Sequence, residues 1–397
     1  MFETVAARPE DPIDVIARAF KVDGSPSKID LGIGVYRDET GHCPVMRAIA
    51  EAEQRLLTRR TSKEYLTPAG NVSYCELVEP YLFGSTHKRN ITSIQTPGGG
   101  PAIRVAAELI QRLSVSRRIW VPTPTWGHQL LVLRLAGLEI LEYPYYDTGE
   151  KNLVFSQMLD TLEKESRAGD AVLLHGCCHN PTGADLTASQ WQELVSLFQK
   201  KELIPFIDIA YQGLARGLEE DSLGVRLFSE ALPEVLVAST SSKSFGIYRE
   251  RAGMISLVSD LKGDKLNSLR KEMLEISRGL YFMPADHGAA MVVEVLGDAE
   301  LTHIWKEELD TARLRIAEMR ELLSNGLNAL SGTQDYTYIK NQFGMFSLLP
   351  LDLEQIARLS QEYSVYLIPD GRANLAGLSP KSIPHVVQAI HAVRYDK

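Results

Sequence analysis

A single lysine lies in a segment that could bind an anion. Lys243 stands in STSSKSFGIYRER (residues 239–251), directly after the apolar run EVLVA, and Arg251 follows eight residues later. Two cations this close are unfavourable unless an anion binds between them or the lysine is held without its charge. Neighbouring hydroxyl residues, among them Thr240 and Ser242, can donate hydrogen bonds to such an anion. The stretch therefore predicts an anion site beside a reactive amine.

A second feature suited to a phosphate is the triple glycine of TPGGGPAIRVAAEL (residues 96–109). Gly99 and Gly100 lead into a stretch with helical periodicity, and the free N–H groups of a helix start attract anions. Taken alone, the glycines could equally form a simple turn. The dinucleotide-binding pattern is excluded, because Ile103 stands where its third glycine would be.

Further polar residues follow other apolar runs. Trp126 comes after RRIWVPTP, Asn180 lies in HNPTG after DAVLLHGC, and Asp208 and Tyr211 lie in PFIDIAYQG. Singly, Asp208 could be a structural ion pair and Asn180 a turn residue, since a buried carboxylate needs a cation or several donors. In parallel sheets, however, ligands bind beyond the carboxyl ends of the strands, so these side chains are expected to meet Lys243 there.

Together these residues match one chemistry. A phosphate site, a carboxylate in an apolar setting, a phenol and a lysine at a strand end are what a pyridoxal phosphate enzyme requires. We predict that Lys243 binds the aldehyde of this cofactor and that Arg251, the hydroxyls and the glycine-rich helix start hold its phosphate. No metal is expected, because the four potential ligands of HGCCH (residues 175–179) are more closely spaced than those of known zinc sites.

The elements that must position these residues can be predicted from hydrophobic patterns. Five apolar runs are predicted strands: residues 117–124, 170–177, 203–210, 234–242 and 252–259. Helical patterns separate several of them, notably 101–115 and 187–201, the second with Thr187 as a plausible N-cap. Strands that are apolar on both faces predict an α/β fold, a mostly parallel central sheet flanked by helices.

A long charged amphipathic helix is predicted after residue 300, leading into a smaller unit. We expect a large cofactor-binding domain from residues 46–310. A smaller α+β domain is expected from residues 1–45 together with 311–397.

The composition excludes several classes of protein. The chain has 397 residues and a formal net charge of −9, which argues against a nucleic-acid-binding surface. Charges or prolines interrupt every apolar run well short of about 18 residues, so we expect no membrane span. The N-terminus carries acidic residues and does not resemble a signal peptide. Four cysteines, two of them adjacent, indicate reduced thiols and a cytoplasmic protein.

Five motifs occur in the order and spacing of a known family: LGIGVYRDETG, NPTG, DIAYQG, STSSKSFGIYRERAG and GRANLAG. They resemble the class I (fold type I) aminotransferases, specifically the aspartate and aromatic amino-acid branch, over essentially the whole chain. The resemblance implies a pyridoxal phosphate-dependent transfer of the amino group of aspartate, aromatic amino acids or both to 2-oxoglutarate by a ping-pong reaction.

The resemblance also implies roles around the cofactor. Lys243 is similar to the lysine that binds the aldehyde and moves a proton between the substrate Cα and the cofactor. Asp208 resembles the carboxylate that keeps the pyridine nitrogen protonated, and Trp126 the indole stacked on the ring. Tyr211 and Asn180 resemble the donors to the phenolic oxygen of the ring. The implied phosphate-binding residues are Thr240, Ser242, Arg251 and the amides of Gly99 and Gly100.

Substrate recognition and assembly follow from the same resemblance. Arg372 matches the arginine that binds the substrate α-carboxylate, a planar contact suited to guanidinium. Arg278 matches an arginine that the partner subunit supplies for the distal carboxylate, and Tyr65 a tyrosine that reaches the partner's phosphate. A homodimer with shared sites is therefore expected. The α-carboxylate end is completed by Gly34, Trp126 and Asn180.

This chain departs from the family at three places. Gly100 stands where the family commonly has Ser or Thr, so we expect weaker retention of the cofactor, by ~1.5–3 kcal/mol. Gln129, with His128 before it, occupies the position of a histidine that supports the aspartate, which leaves the support of Asp208 open. An apolar rim follows Arg278 and favours aromatic or large aliphatic substrates: Leu280, Phe282 and Met283.

Two alternatives remain open from the residues. One is another reaction of fold type I enzymes, such as β-elimination or racemisation, for which Arg278 would be dispensable. The other is a non-catalytic module that binds pyridoxal phosphate, although such a module would not need Arg372.

Overall fold

The computed structural model describes residues 2–6, 10–59 and 61–395. Contacts divide the chain into two compact units. The large unit comprises residues 44–315 and 342–344, and the small unit comprises residues 1–43, 316–341 and 345–397.

The strands are β1 (Ile29–Asp30), β2 (Asn90–Thr96), β3 (Arg118–Thr123), β4 (Glu139–Pro144), β5 (Tyr146–Asp147), β6 (Asn152–Leu153), β7 (Ala171–His175), β8 (Ile204–Ile209), β9 (Glu234–Thr240), β10 (Gly253–Ser259), β11 (Phe346–Leu348), β12 (Val365–Tyr366) and β13 (Arg372–Asn374). The helices are α1 (Pro12–Val22), α2 (Arg47–Arg59), α3 (Val72–Phe83), α4 (Gly99–Leu113), α5 (Gly127–Leu135), α6 (Phe155–Glu165), α7 (Ala188–Lys201), α8 (Leu218–Asp221), α9 (Leu223–Ala231), α10 (Gly263–Tyr281), α11 (His287–Leu296), α12 (Ala299–Ser331), α13 (Thr337–Asn341), α14 (Leu353–Tyr363) and α15 (Ile383–Tyr395). Short 3₁₀ turns span Phe2–Thr4 and Leu375–Gly377.

The large unit contains a seven-stranded sheet in the order β2-β10-β9-β8-β7-β3-β4. The five strands from β9 to β4 run parallel, and β10 is antiparallel to both of its neighbours. The register places His175 opposite Asp208, and Ile209 opposite Ser239. The carboxyl ends of β7, β8 and β9 therefore lie side by side. The predicted α/β fold with a mostly parallel central sheet is confirmed.

The five predicted strands form as β3, β7, β8, β9 and β10. They are apolar on both faces because helices cover both sides of such a sheet. One layer is α4 with α5 and α10, whose buried side chains join those of the sheet in one core. In α7 and α9, the rings of Phe198 and Phe228 pack edge to face at 5.0 Å. The predicted N-cap of α7 is confirmed, since Thr187 accepts from Gln190 N–H in a capping box.

The small unit has its own hydrophobic core, formed by part of α12 with α14, α15 and the short strands. In it, β1 pairs with β12 in parallel, and β11 pairs with β13 antiparallel. The long helix predicted after residue 300 is α12, whose residues 299–315 belong to the large unit and 316–331 to the small unit. Within the residues described above, none of the helices is both long and apolar enough to cross a membrane.

Candidate active site

Asp208, at the end of β8, is buried and held by an amide. Gln129 Nε2 donates to Asp208 Oδ2 at 2.5 Å. The amide oxygen of Gln129 faces two further groups, Thr125 Oγ1 at 2.8 Å and His175 Nε2 at 3.0 Å. Gln129 itself is completely buried, on α5. The question that the sequence left open is therefore answered: Gln129 supports the aspartate.

The hydrogen-bond network assigns the protons of this chain of residues. The backbone N–H of Asn180 donates to His175 Nδ1 at 3.2 Å. The imidazole therefore carries its proton on Nε2 and donates it to the amide oxygen of Gln129. Burial lowers the pKa of His175 to about 3, which keeps the ring neutral. This fixes the orientation of the Gln129 amide, whose N–H side must face Asp208.

Burial also governs the ionisation of Asp208. It raises the pKa of this carboxyl to about 6, although the charge of Lys243 and the hydrogen bond from Gln129 both act to lower the pKa. A carboxylate of this kind is stabilised when a cationic ligand atom comes next to it.

Lys243 lies within electrostatic reach of this carboxyl and next to Tyr211. The Nζ atom of Lys243 is 4.8 Å from the centroid of the Tyr211 ring. Tyr211 is buried just beyond β8, and Lys243 is partly buried just beyond the neighbouring strand β9. A lysine, a phenol and a buried carboxyl therefore meet at adjacent strand ends, as the sequence predicted.

The backbone that carries Lys243 is anchored on both sides. The hydroxyls of Tyr74 and Ser241 are 2.8 Å apart. On the other side, Trp305 Nε1 donates to the carbonyl oxygen of Ser244 at 2.7 Å. The ring of Phe245 stacks on that of Trp305, with centroids 4.3 Å apart and planes inclined by 5°. These contacts fix residues 241–245.

A small cradle faces the start of α4, formed by Gly98, Gly99, Thr240, Ser242 and Arg251. Gly98 has φ of +96°, and a Cβ atom there would lie 2.8 Å from Arg251 Cζ. Only glycine leaves room for that guanidinium. The hydroxyl oxygens of Thr240 and Ser242 are 2.9 Å apart, and Arg251 Nη1 is 3.5 Å from Ser242 Oγ. A guanidinium, two hydroxyls and a helix N-terminus fit a phosphate dianion.

Gly100, the second residue of α4, faces an imidazole. A Cβ atom at Gly100 would lie 3.1 Å from His128 Nε2. The rings of His128 and Trp126 are in contact, with centroids 4.8 Å apart and planes inclined by 41°. Trp126 is the N-cap of α5 and is half-buried, whereas His128 is exposed.

The turn after β7 carries Asn180. Its bond to Pro181 is cis, and the turn is held by Asp185, whose carboxylate accepts from the N–H groups of Cys178 and His179, both at 2.9 Å. Sequence patterns did not identify Asp185, Thr125 or the hydrogen-bonding role of His175. The signal for Asp185 was an acidic residue shortly after a turn motif, which is too common to be specific.

In the small unit, Arg372 and Gly34 both contact Phe346. Arg372 on β13 is buried, and its Nη2 donates to the carbonyl oxygen of Gly32 at 3.2 Å. The guanidinium carbon is 4.3 Å from the centroid of the Phe346 ring. A Cβ atom at Gly34 would lie 2.6 Å from Phe346 Cζ, so the backbone here approaches closer than any other residue type would permit.

Tyr65 and Arg278 lie together around Phe282, on an exposed part of the large unit. Tyr65 is 86% exposed, and its ring centroid is 6.3 Å from that of Phe282. The Arg278 guanidinium is 5.5 Å from the Phe282 centroid, and Phe282 is itself 53% exposed. Tyr65, Arg278 and Phe282 therefore share one exposed patch of the large unit.

Across the described residues, no group of three or more His, Cys, Asp and Glu side chains is arranged to hold a metal ion. The two histidines of the HGCCH segment, His175 and His179, instead form hydrogen bonds with neighbouring side chains. His175 bonds to Gln129, and His179 Nδ1 lies 2.8 Å from Thr182 Oγ1.

Comparison with known proteins gives a consistent result. Residues 26–390 match the family model described as "Aminotransferase class I and II". The aspartate aminotransferase of Escherichia coli (strain K12) is 42% identical over 397 residues, covering 99% of this chain and 100% of that protein. The aromatic-amino-acid aminotransferase of Pseudomonas aeruginosa is 40% identical over 100% of this chain and 99% of that protein.

The same relationship holds in three dimensions. The aromatic-amino-acid aminotransferase from Burkholderia pseudomallei, solved covalently bound to pyridoxal phosphate, superposes with a TM-score of 0.94 at 36% identity, covering 99% of both chains.

A parallel sheet that brings a lysine, a buried carboxyl and an anion cradle to adjacent strand ends defines a fold type I enzyme that uses pyridoxal phosphate. Within that class, the chain belongs to the class I aminotransferases, in their aspartate and aromatic amino-acid branch.

Proposed function

We propose that this aminotransferase passes the amino group of aromatic amino acids and of aspartate to 2-oxoglutarate, in the cytoplasm and as a homodimer. The observation that carries the proposal is the meeting of Asp208, Tyr211 and Lys243 at the ends of β8 and β9, beside the cradle of Arg251. The four cysteines, all within the described residues and three of them buried, form no disulfide, which is consistent with a reducing compartment.

The chain offers a defined place for each part of the cofactor. Pyridoxal phosphate supplies an aldehyde and a ring that accepts electrons from the substrate Cα. Arg251 with Thr240, Ser242 and the amides of Gly99 and Gly100 would hold the phosphate. The ring would be covered by Trp126, and its phenolic oxygen would be bonded by Tyr211 and Asn180.

Asp208 would hold the proton of the pyridine nitrogen. Even with the charge of Lys243 and the hydrogen bond from Gln129, this carboxyl is costly to ionise, as its pKa of about 6 indicates. A protonated ring nitrogen beside it would lower that pKa, so the ion pair stabilises both partners. Gln129, which is neutral at every physiological pH, would keep Asp208 in place without adding charge.

Lys243 would carry the proton transfers at the substrate. Its ammonium would have to lose a proton to bind the aldehyde. Once the amino group of the substrate had replaced it at the aldehyde carbon, the freed amine could take the proton from the substrate Cα and return it. Nζ lies 4.8 Å from the centroid of the Tyr211 ring and within electrostatic reach of the Asp208 carboxyl.

Substrate selection would use two arginines and an apolar rim. Arg372, buried beside the Gly32 carbonyl, is suited to a bidentate contact with the α-carboxylate. Arg278 is exposed and would act in the partner subunit on a distal carboxylate, with Tyr65 reaching the partner's phosphate. The rim of Leu280, Phe282 and Met283 favours aromatic side chains, because apolar surface is buried when they bind.

A half-reaction experiment with a matched control tests this function. Lys243→Ala should abolish the single-turnover loss of cofactor absorbance when glutamate is added, whereas Lys262→Ala, at the N-terminus of α10, should react as the parent does. Transamination by Lys243→Ala at the parent rate would overturn the assignment.

Substrate preference is tested by kcat/KM for aspartate, phenylalanine, tyrosine and leucine with 2-oxoglutarate as acceptor. We expect tyrosine and phenylalanine to exceed leucine, with aspartate also accepted. Accumulation of pyruvate without an acceptor, or inversion of the amino acid, would favour elimination or racemisation instead.

A further inference from the structure

We propose that His128 is a phosphate-binding residue of the cofactor site and takes the place of a side chain that Gly100 does not have. The inference rests on the proposed location of the phosphate in the cradle at the start of α4. It goes beyond that proposal by adding a residue from a different helix, α5.

The two positions compete for the same space. A Cβ atom at Gly100 would lie 3.1 Å from His128 Nε2, which is closer than nearly all side-chain carbons come to a neighbour. Any residue other than glycine at position 100 would therefore press on the imidazole or displace it. Because Gly100 is the second residue of α4, its side-chain position lies beside the free N–H groups that attract the anion. The imidazole nitrogen therefore lies in the space that a side chain at position 100 would occupy.

The surroundings of His128 favour an anion as its ligand. His128 lies in the first turn of α5, where the helix dipole disfavours a positive charge unless an anion is near. The ring is exposed and rests against the indole of Trp126, so its position is set by an apolar contact. A phosphate dianion beside Nε2 would accept a hydrogen bond from the ring and offset the dipole.

The first experiment compares two forms of the vitamin. The dissociation constants of pyridoxal phosphate and of pyridoxal, which lacks the phosphate, are measured with cofactor-free wild type, His128→Ala and the control His303→Ala. His303 is an exposed histidine on α12. His128→Ala should weaken pyridoxal phosphate binding by roughly ten- to hundredfold, the effect expected for a hydrogen bond to a charged group. Pyridoxal binding should stay within about twofold of wild type, since a difference that small is well under 1 kcal/mol.

An equal loss of affinity for both compounds would overturn the inference, because it would mean that His128 contacts the ring or supports the fold. An unchanged affinity for pyridoxal phosphate would overturn it as well. Failure of the proposed function would give a different result. In that case the wild-type protein itself would neither bind the cofactor at Lys243 nor transaminate.

The second experiment tests the coupling of the two positions by a double-mutant cycle. Gly100→Ser in the wild-type background should weaken pyridoxal phosphate binding, since the new side chain displaces His128. In the His128→Ala background the same change should be neutral or should restore affinity, because the serine hydroxyl then enters the vacated space. Additive losses would contradict a shared role, and the ³¹P shift of the bound cofactor should change with His128→Ala only if the phosphate is its neighbour.

Discussion

Replacing Gln129 by leucine should make the stability of the cofactor-free enzyme depend more strongly on pH. The pKa of Asp208 is raised from 3.8 to about 6 by burial. A raised pKa in an acid means that the folded state is favoured below pH 4 and loses that advantage as the pH rises through 6. A pKa shift of about two units corresponds to about 3 kcal/mol of folding free energy, since each unit contributes 1.36 kcal/mol. The hydrogen bond from Gln129 at 2.5 Å limits this penalty.

The effect of the leucine variant differs between the two charge states of Asp208. At pH 8 the ionised carboxyl loses a charge-assisted hydrogen bond, which contributes ~1.5–3 kcal/mol, whereas at pH 5 the neutral acid loses one worth ~0.5–1.5 kcal/mol. The loss of the acceptor for His175 Nε2 and for Thr125 is common to both pH values. The decrease in the free energy of unfolding should therefore be larger at pH 8 than at pH 5 by about 1 kcal/mol.

Urea unfolding of cofactor-free protein, followed by tryptophan fluorescence at the two pH values, measures this difference. Thr125→Val is the matched control, because it removes a hydrogen bond to Gln129 but none to Asp208. The decrease in the free energy of unfolding caused by Thr125→Val should be the same at both pH values. Asp221 is another buried acid with a pKa of about 6. Its contribution to the pH dependence is the same in every variant, so it cancels when the variants are compared. Equal losses for Gln129→Leu at both pH values would refute the reasoning.

Three further outcomes follow from the structure. Gly98→Ala should raise the dissociation constant of pyridoxal phosphate at least about tenfold, since it strains a residue at φ +96° and displaces Arg251, and an unchanged constant would count against the cradle. Arg372→Lys should raise KM for both amino and keto acids by about tenfold or more in steady-state assays, because lysine cannot form the bidentate contact, and a normal KM would exclude that role. Thr187→Ala should lower the free energy of unfolding by about 1 kcal/mol through loss of the α7 cap without changing kcat, and a catalytic defect would show that α7 does more than support the sheet.

The sheet could be predicted to the extent that its strands are uniformly apolar. The runs that became β7, β8 and β10 are buried on both faces, so composition alone identified them. Strand β2, NITSIQT, and the antiparallel setting of β10 were not predicted. Polar residues interrupt β2, and strand direction depends on pairings between distant segments, which local patterns do not encode.

The candidate site shows the same division. Lys243, Asp208 and Tyr211 stand at strand ends, where the rule for parallel sheets applies directly. The role of Gln129 was left open, because a glutamine on a helix gives no local sign of what its amide faces. Only the fold brings its Nε2 to Asp208 and its oxygen to His175. Hydrogen bonds between distant residues of this kind require the three-dimensional arrangement.

The anchoring of residues 241–245 has a consequence for the timing of catalysis. With Tyr74 and Trp305 holding the chain on either side of Lys243, the amine can change position by rotation about its own side-chain bonds. Such rotations are far faster than the rearrangement of a loop, which takes microseconds or longer when segments move together. If Lys243 acts as proposed, we therefore expect that chain motion at this segment does not limit turnover and that a rate-limiting conformational step would lie in another part of the enzyme.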